Sequence, residues 1–228
     1  LGESGPCPRG IALADTSTGR LCVDLFEVSP GESCPHTTPR NVLESEKNAE
    51  IEGCYGASVA GTEPWTFVTL TQAQRVCATS GKRLPTSDEW YALALGTNEG
   101  DCYVNGASPR ASSESSCRAS SGAYDMVGNV WEWVNETVTG VEYRGRTLPS
   151  EGYVEETDAS GVAISTSGEK GNELYGEDYF WSKSEGVFGM IRGGFYGSNR
   201  DAGLYTINAS VPTSFATQGV GFRCVKGV

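Results

Sequence analysis

The chain has 228 residues and a net charge of −12, with 29 Asp and Glu against 17 Lys and Arg. That acidic excess opposes nucleic-acid phosphates and anionic membrane surfaces. No apolar run reaches the length of a membrane span. Length alone leaves one large or two small domains open, while 30 Gly, 10 Pro and 38% hydrophobic residues suit a loop-rich fold of short strands. The eight Cys form no CxxC pair and there is one His, His36, which argues against zinc and for four disulfides in an oxidising compartment. No signal peptide is visible at Leu1, so the expectation is a mature or trimmed chain.

Residues 1–30 predict a hairpin. Gly10 to Ala14 leads into a turn at Asp15 to Gly19, and Leu21 to Val28 alternates over part of its length. Cys7 and Cys22 flank the turn, and a bridge between them would pin it. Residues 30–64 are polar and irregular, and a local Cys34–Cys54 bridge would fix so long a loop. Two helices follow. Thr71 to Gln74 is a candidate capping box for a helix running to about Ser80, with Gly81 as its stop and Ala73, Val76 and Cys77 on one face. Thr86 to Glu89 is a second box, opening a helix that turns Trp90, Leu93 and Ala94 inward and ends at Gly96. Residues 97–122 are Gly/Ser-rich loop with Cys102 and Cys117. Residues 137–180 are a polar stretch broken by strand-like pieces. Gly189 to Val228 reads as strand, loop, strand.

Three segments taken together resemble one family. They are Gln74 to Trp90 (QRVCATSGKRLPTSDEW), Gly122 to Trp133 (GAYDMVGNVWEW), and Ile191-Arg-Gly-Gly194 followed by Val220-Gly-Phe-Arg-Cys224. In this order and spacing they resemble the sulfatase-modifying, formylglycine-generating enzyme family, a branch of the C-type lectin fold. The resemblance covers the chain from about residue 10 to its end. It implies an α+β, disulfide-bonded single domain over 1–228, with two helices around short antiparallel sheets and an insert at about 137–180. It also implies a Cys77–Cys224 disulfide from the first helix to the last strand, with Cys102–Cys117 then a local pair, although eight Cys allow 105 pairings. Finally it implies one structural calcium, with carbonyls from Val127, Gly128 and Val130 and the carboxylate of Glu132; the competing reading is that Trp131, Glu132 and Trp133 pack and cap a turn.

The sequence departs from the enzyme where its chemistry resides. The family enzyme carries two reactive cysteines shortly after Arg-Gly-Gly, and here Arg192 to Tyr205 contains none. Without a thiolate there is no copper-binding or redox pair. One His cannot hold a non-haem iron or serve a nucleophile in the usual way. Neither copper nor iron is expected, and catalysis is not. Acidic pairs such as Glu155-Glu156 read as solvated surface, and Glu63-Pro64-Trp65 reads as a loop rather than a sugar-binding motif.

The C-terminal stretch is similar to the variable proteins of diversity-generating retroelements. The pattern is Arg192-Gly-Gly-Phe-Tyr, a polar run over 197–201, Ala202-Gly203, and Gly221-Phe-Arg. In those proteins adenines of Asn-type codons are randomised, and such codons never yield Lys, Glu, Gln, Met or Trp. Between Phe195 and Gly219 these five residue types are represented by Gln218 alone. The competing reading is a Gly/Ser-rich surface loop that lacks them by chance.

The resemblance therefore implies a diversified ligand-binding region at 195–219. Its face would carry Tyr196, Ser198, Asn199, Arg200, Asp201, Tyr205, Thr206, Asn208, Ser210 and Ser214, with aromatic contact area and adaptable hydrogen bonding as in antibody loops. Phe195 fits either face or core. Arg192 and Arg223 are expected to make structural bonds beneath. The expected partner is a protein or glycan on another cell or particle, with the domain extracellular, on a cell surface or on a virion. The alternative is a fixed, inactive adhesion or structural module.

Overall fold

A computed structural model describes Cys7, residues 11–16 and residues 19–228. The expected hairpin forms from β1 (Ile11–Thr16) and β2 (Gly19–Asp24), antiparallel in the register Leu13 to Cys22. Its tip residues Ser17 and Thr18, and Gly10 before it, lie outside the described residues. Next come β3 (Ser29–Pro30), α1 (Val42–Glu50), β4 (Gly56–Ala57), α2 (Leu70–Thr79) and α3 (Ser87–Ala94). The rest is strand and loop: β5 (Trp131–Thr139), β6 (Glu142–Tyr143), β7 (Arg146–Thr147), β8 (Gly152–Thr157), β9 (Ala163–Ser167), β10 (Tyr179–Trp181), β11 (Val187–Arg192), β12 (Ile207–Val211), β13 (Val220–Gly221) and β14 (Val225–Gly227).

Nine strands make one sheet, ordered β7-β6-β5-β11-β12-β10-β8-β9 with β13 beside β5; β1-β2-β14 and β3-β4 form two smaller sheets. Neighbouring residues of β5 and β11 point to opposite faces, as strand geometry requires. Trp133 and Ile191 join the core that α2 caps with Ala73, Val76 and Cys77. Val134 and Met190 join the core that α3 caps with Trp90, Leu93 and Ala94. The sheet is thus covered by a helix on each side.

Several expectations need correction. The first capping box is Thr69 with Gln72, two residues before Thr71 with Gln74. Leu70 is buried and donates its amide to the Thr213 carbonyl, which fixes the helix start there. Gln74 instead donates through its side-chain amide to Asn135. The second box, Thr86 with Glu89, forms as read, and Gly81 and Gly96 follow their helices in left-handed conformation. There are three α-helices among the described residues, because α1 lies inside the stretch read as irregular. Residues 137–180 extend the main sheet through β6 to β10, and β12 interrupts the C-terminal stretch read as strand, loop, strand. Glu63-Pro64-Trp65 is loop, but Trp65 is fully buried and donates its indole N–H to Ser45 Oγ.

Four disulfides join Cys7 to Cys22, Cys34 to Cys54, Cys77 to Cys224, and Cys102 to Cys117. The third spans 147 residues and ties α2 to the chain just before β14. No helix among the described residues is long and apolar enough to cross a membrane.

Candidate ligand-binding face

The site rests on two buried arginines. Arg223 is fully buried and grips Glu132, also buried, through Nε at 2.8 Å to each carboxylate oxygen and Nη2 at 2.5 Å. The Trp90 indole donates to the same carboxylate at 2.7 Å, and Arg223 also donates to the Asp24 and Tyr124 carbonyls. The Glu132 carboxylate beside it holds the Arg223 guanidinium above its ordinary pKa despite burial. Charge and donors are both satisfied, the condition under which a buried pair is tolerated.

Arg192 is equally buried but, among the described residues, pairs with no carboxylate. It donates to the carbonyls of Ser87, Ser160, Gly161 and Leu204 and to Ser87 Oγ, at 2.9–3.2 Å. Its guanidinium lies over the Trp90 and Tyr91 rings. Burial lowers its pKa to about 10, so it stays charged at neutral pH.

Above these arginines runs the 195–219 stretch, and its backbone is held largely by groups outside it. The Tyr196 amide donates to the Asn129 carbonyl and its carbonyl accepts from the Gly106 amide. The Asn199 amide donates to Val104. Leu204 donates to Glu99 Oε1 at 2.7 Å and accepts from Arg192; Tyr205 donates to Asp178 Oδ2 at 2.6 Å. The Thr206, Thr213 and Thr217 carbonyls accept from Gly193, Leu70 and Phe67. Gly203 has a reason to lack a side chain: a Cβ there would meet Asp178 Oδ1 at 2.0 Å.

The ten expected face residues divide. Asn199, Arg200 and Ser214 are exposed, and Tyr196, Ser198, Asp201 and Asn208 are half-buried. Arg200 and Asp201 line a shallow pocket with Tyr153, Glu169, Lys170, Gly171 and Glu177. Tyr205 is half-buried and wedged between Tyr91 and Tyr175, with ring centroids 5.9 and 5.1 Å away. Thr206 and Ser210 do not belong to the face. Thr206 is fully buried and donates its hydroxyl to the Asp201 carbonyl, while Ser210 is buried and turns to Asn208 Oδ1. Phe195 packs against the core that α2 caps, edge-on to Tyr196.

The structure adds an aromatic row that the sequence reading missed. On β10, Phe180 enters the core while Tyr179 and Trp181 take the other face, half-buried. Tyr153 pairs across to Tyr179, with centroids 5.1 Å apart. Tyr179 meets Trp181 at 4.6 Å and Trp181 meets Trp131 at 5.9 Å. Parallel pairing sets Asn208 of β12 opposite Trp181, on the same face. The signal for this row was the alternation Tyr179-Phe180-Trp181 within a stretch otherwise polar.

The four residues implied for calcium do not fit that ion. Both Glu132 oxygens already accept from Arg223, and a guanidinium at contact distance repels a second cation. Val127, Gly128 and Val130 are buried beside it. Among the described residues no group of three or more His, Cys, Asp or Glu could hold a metal.

A mixed sheet with a helix on each face, a disulfide closing helix onto the last strand, and a long loop held over buried arginines together define a C-type-lectin-like domain. Residues 38–228 match the family model described as sulfatase-modifying factor enzyme 1-like domain, and the chain belongs to that family. Inactive C-alpha-formylglycine-generating enzyme 2 of Bos taurus is 29% identical over 42% of this chain and 40% of that protein; its Mus musculus counterpart is 28% identical over the same shares. The chain thus spans less than half the length of these curated relatives. The fold is similar to the Major Tropism Determinant U1 variant, with TM-score 0.56, 18% identity and coverage of 97% of this chain and 53% of that one. The I1 variant aligns with TM-score 0.53 and 20% identity over 96% of this chain and 52% of that one. With every cysteine in a disulfide and none after Arg192-Gly-Gly until Cys224, the domain has no free thiol. The cysteine pair that the family's enzyme carries after Arg-Gly-Gly has no counterpart at Arg192 to Tyr205.

Proposed function

We propose that this domain binds a protein or glycan on another cell or particle through the 195–219 face and the neighbouring aromatic row, and that a diversity-generating retroelement varies its side chains. The observation that carries the reading is the tethering of the loop backbone by Glu99, Val104, Gly106, Asn129, Asp178 and Arg192, all outside the window. Side chains at Tyr196, Ser198, Asn199, Arg200, Asp201, Asn208 and Ser214 can then change without removing those bonds. Tyr153, Tyr179 and Trp181 would supply constant contact area, since aromatic rings bury much surface at low entropic cost. A related fold serves a protein whose name makes it a determinant of tropism, which supports display at an extracellular or virion surface, as do four disulfides.

A second reading, a fixed inactive adhesion or structural module, is favoured by the likeness to the inactive enzyme relatives. Sequencing the gene and its flanks across a natural population separates the two. Substitutions confined to adenine-derived codons within 195–219, beside a near-identical downstream repeat, are expected. Codons as constant there as elsewhere would refute diversification and leave the fixed module.

A further inference from the structure

Two carboxylates lie behind the 203–206 backbone without a basic partner. Asp178, just before β10, is fully buried; its Oδ2 accepts from the Tyr205 amide and its Oδ1 has no hydrogen-bond partner. Glu99, in a short 3-10 turn after α3, accepts from the Leu204 amide through Oε1. Neither makes an ion pair among the described residues, and nearby Arg192 spends its donors on carbonyls and a hydroxyl. Glu99 Oε2 and Asp178 Oδ1 each lie 3.2 Å from where a Cβ on Gly176 would stand, so both remaining oxygens converge beside that exposed glycine. Burial raises both carboxyls; the Glu99 charge adds to the effect on Asp178, which is pushed up to about 8. Two carboxylates converging on one place, one of them fully buried, are unfavourable as a pair of anions unless something positive lies between them.

We propose that Glu99 Oε2 and Asp178 Oδ1 hold a hard divalent cation of the calcium class, with water from the exposed Gly176 side completing its shell. Two carboxylates neutralise a dication. All-oxygen donors without thiolate or imidazole select calcium over transition metals, and an irregular shell suits calcium better than magnesium. Because the same carboxylates accept from Leu204 and Tyr205, the ion would pin that segment. The site joins the insert to the turn after α3 and is separate from the Val127–Glu132 segment. It stands whether or not the loop is diversified.

The test is thermal unfolding of the full chain, stripped with chelator, against added CaCl2 at neutral pH. Tm is expected to rise by roughly 3–6 °C at saturation, with a midpoint on the order of 0.1–1 mM, the range of extracellular modules. Asp178→Asn keeps an acceptor for the Tyr205 amide, and both it and Glu99→Gln should lose the rise. Terbium luminescence, sensitised by nearby Tyr175 and Tyr205, is a second readout that Glu99→Gln should abolish, and it serves if Asp178→Asn does not fold. The proposal is overturned if calcium has no effect on the wild-type chain, or if the effect persists in both variants. It is also overturned if Tm ignores calcium but rises as pH falls from about 8 to 5 in a manner Asp178→Asn removes, since the pair would then share a proton (folding would favour the protonated form, and stability would be lost as pH rises through the raised pKa).

Discussion

The Glu132–Arg223 centre and the 195–219 loop are both ordered, but by opposite means. At the centre, side chain grips side chain: Arg223, Glu132 and Trp90 satisfy one another in a space closed to water. In the loop, the backbone is gripped from outside, while Asn199, Arg200 and Ser214 stay exposed. Side-chain identity is therefore costly to change at the centre and cheap to change in the loop. A scaffold for a changeable surface needs both kinds of order, with the rigid kind beneath.

That contrast can be broken or sharpened by substitution. The largest loss is expected from replacing Cys77 and Cys224 by alanine. The bridge closes a separation of 147 residues, and losing it should lower unfolding free energy by about 5 kcal/mol in a denaturant titration. Arg223→Met comes next, at about 3–5 kcal/mol, because Glu132 would stay buried without its partner. Equilibrium unfolding monitored by tryptophan fluorescence reads this directly, and a loss below about 1 kcal/mol would mean the centre is not the keystone described. Thr86→Ala removes a side-chain cap from α3 and should cost about 1 kcal/mol.

The sequence carried the hairpin, both later helices and the motif-borne cysteine pairings, because each has a local or motif signal. It did not carry α1. That helix exposes Val42 and Leu43 and buries Ser45, Asn48 and Ala49. It is held by Asn41 as cap, by Ser45 against Trp65, and by Asn48 Nδ2 donating to the His36 carbonyl. A helix that turns a polar face inward has no apolar stripe to read. The capping box slipped by two residues for a different reason. Thr69-Leu-Thr-Gln72 and Thr71-Gln-Ala-Gln74 both satisfy the pattern, and the Leu70 bond to Thr213, remote in sequence, decides between them.

The face was legible in part. Composition marked 195–219 as open to change, and of the ten named residues three are exposed and four half-buried outside the tyrosine cluster. Thr206 and Ser210 do not belong to the face for local reasons: Thr206, just before β12, is buried with its hydroxyl on the Asp201 carbonyl, and Ser210, within β12, is buried against Asn208 Oδ1. Tyr153, Tyr179 and Trp181 went unnoticed because sheet pairing, not sequence proximity, brings them beside Asn208.

The central claim is that the loop holds its shape largely through its backbone, so that its outward side chains can change. Saturation mutagenesis of 195–219, 99, 178 and 192 in a displayed library, scored for folding by protease resistance, tests it most directly. Positions 196, 200, 201 and 214 should tolerate most residues, with changes within about 0.5 kcal/mol; Ser198 and Asn208, whose side chains accept from the Phe195 and Ser210 amides, should be more restricted, and Arg192 and Gly203 should tolerate almost none. Equal intolerance across the loop would contradict the account, because the side chains themselves would then be holding the fold.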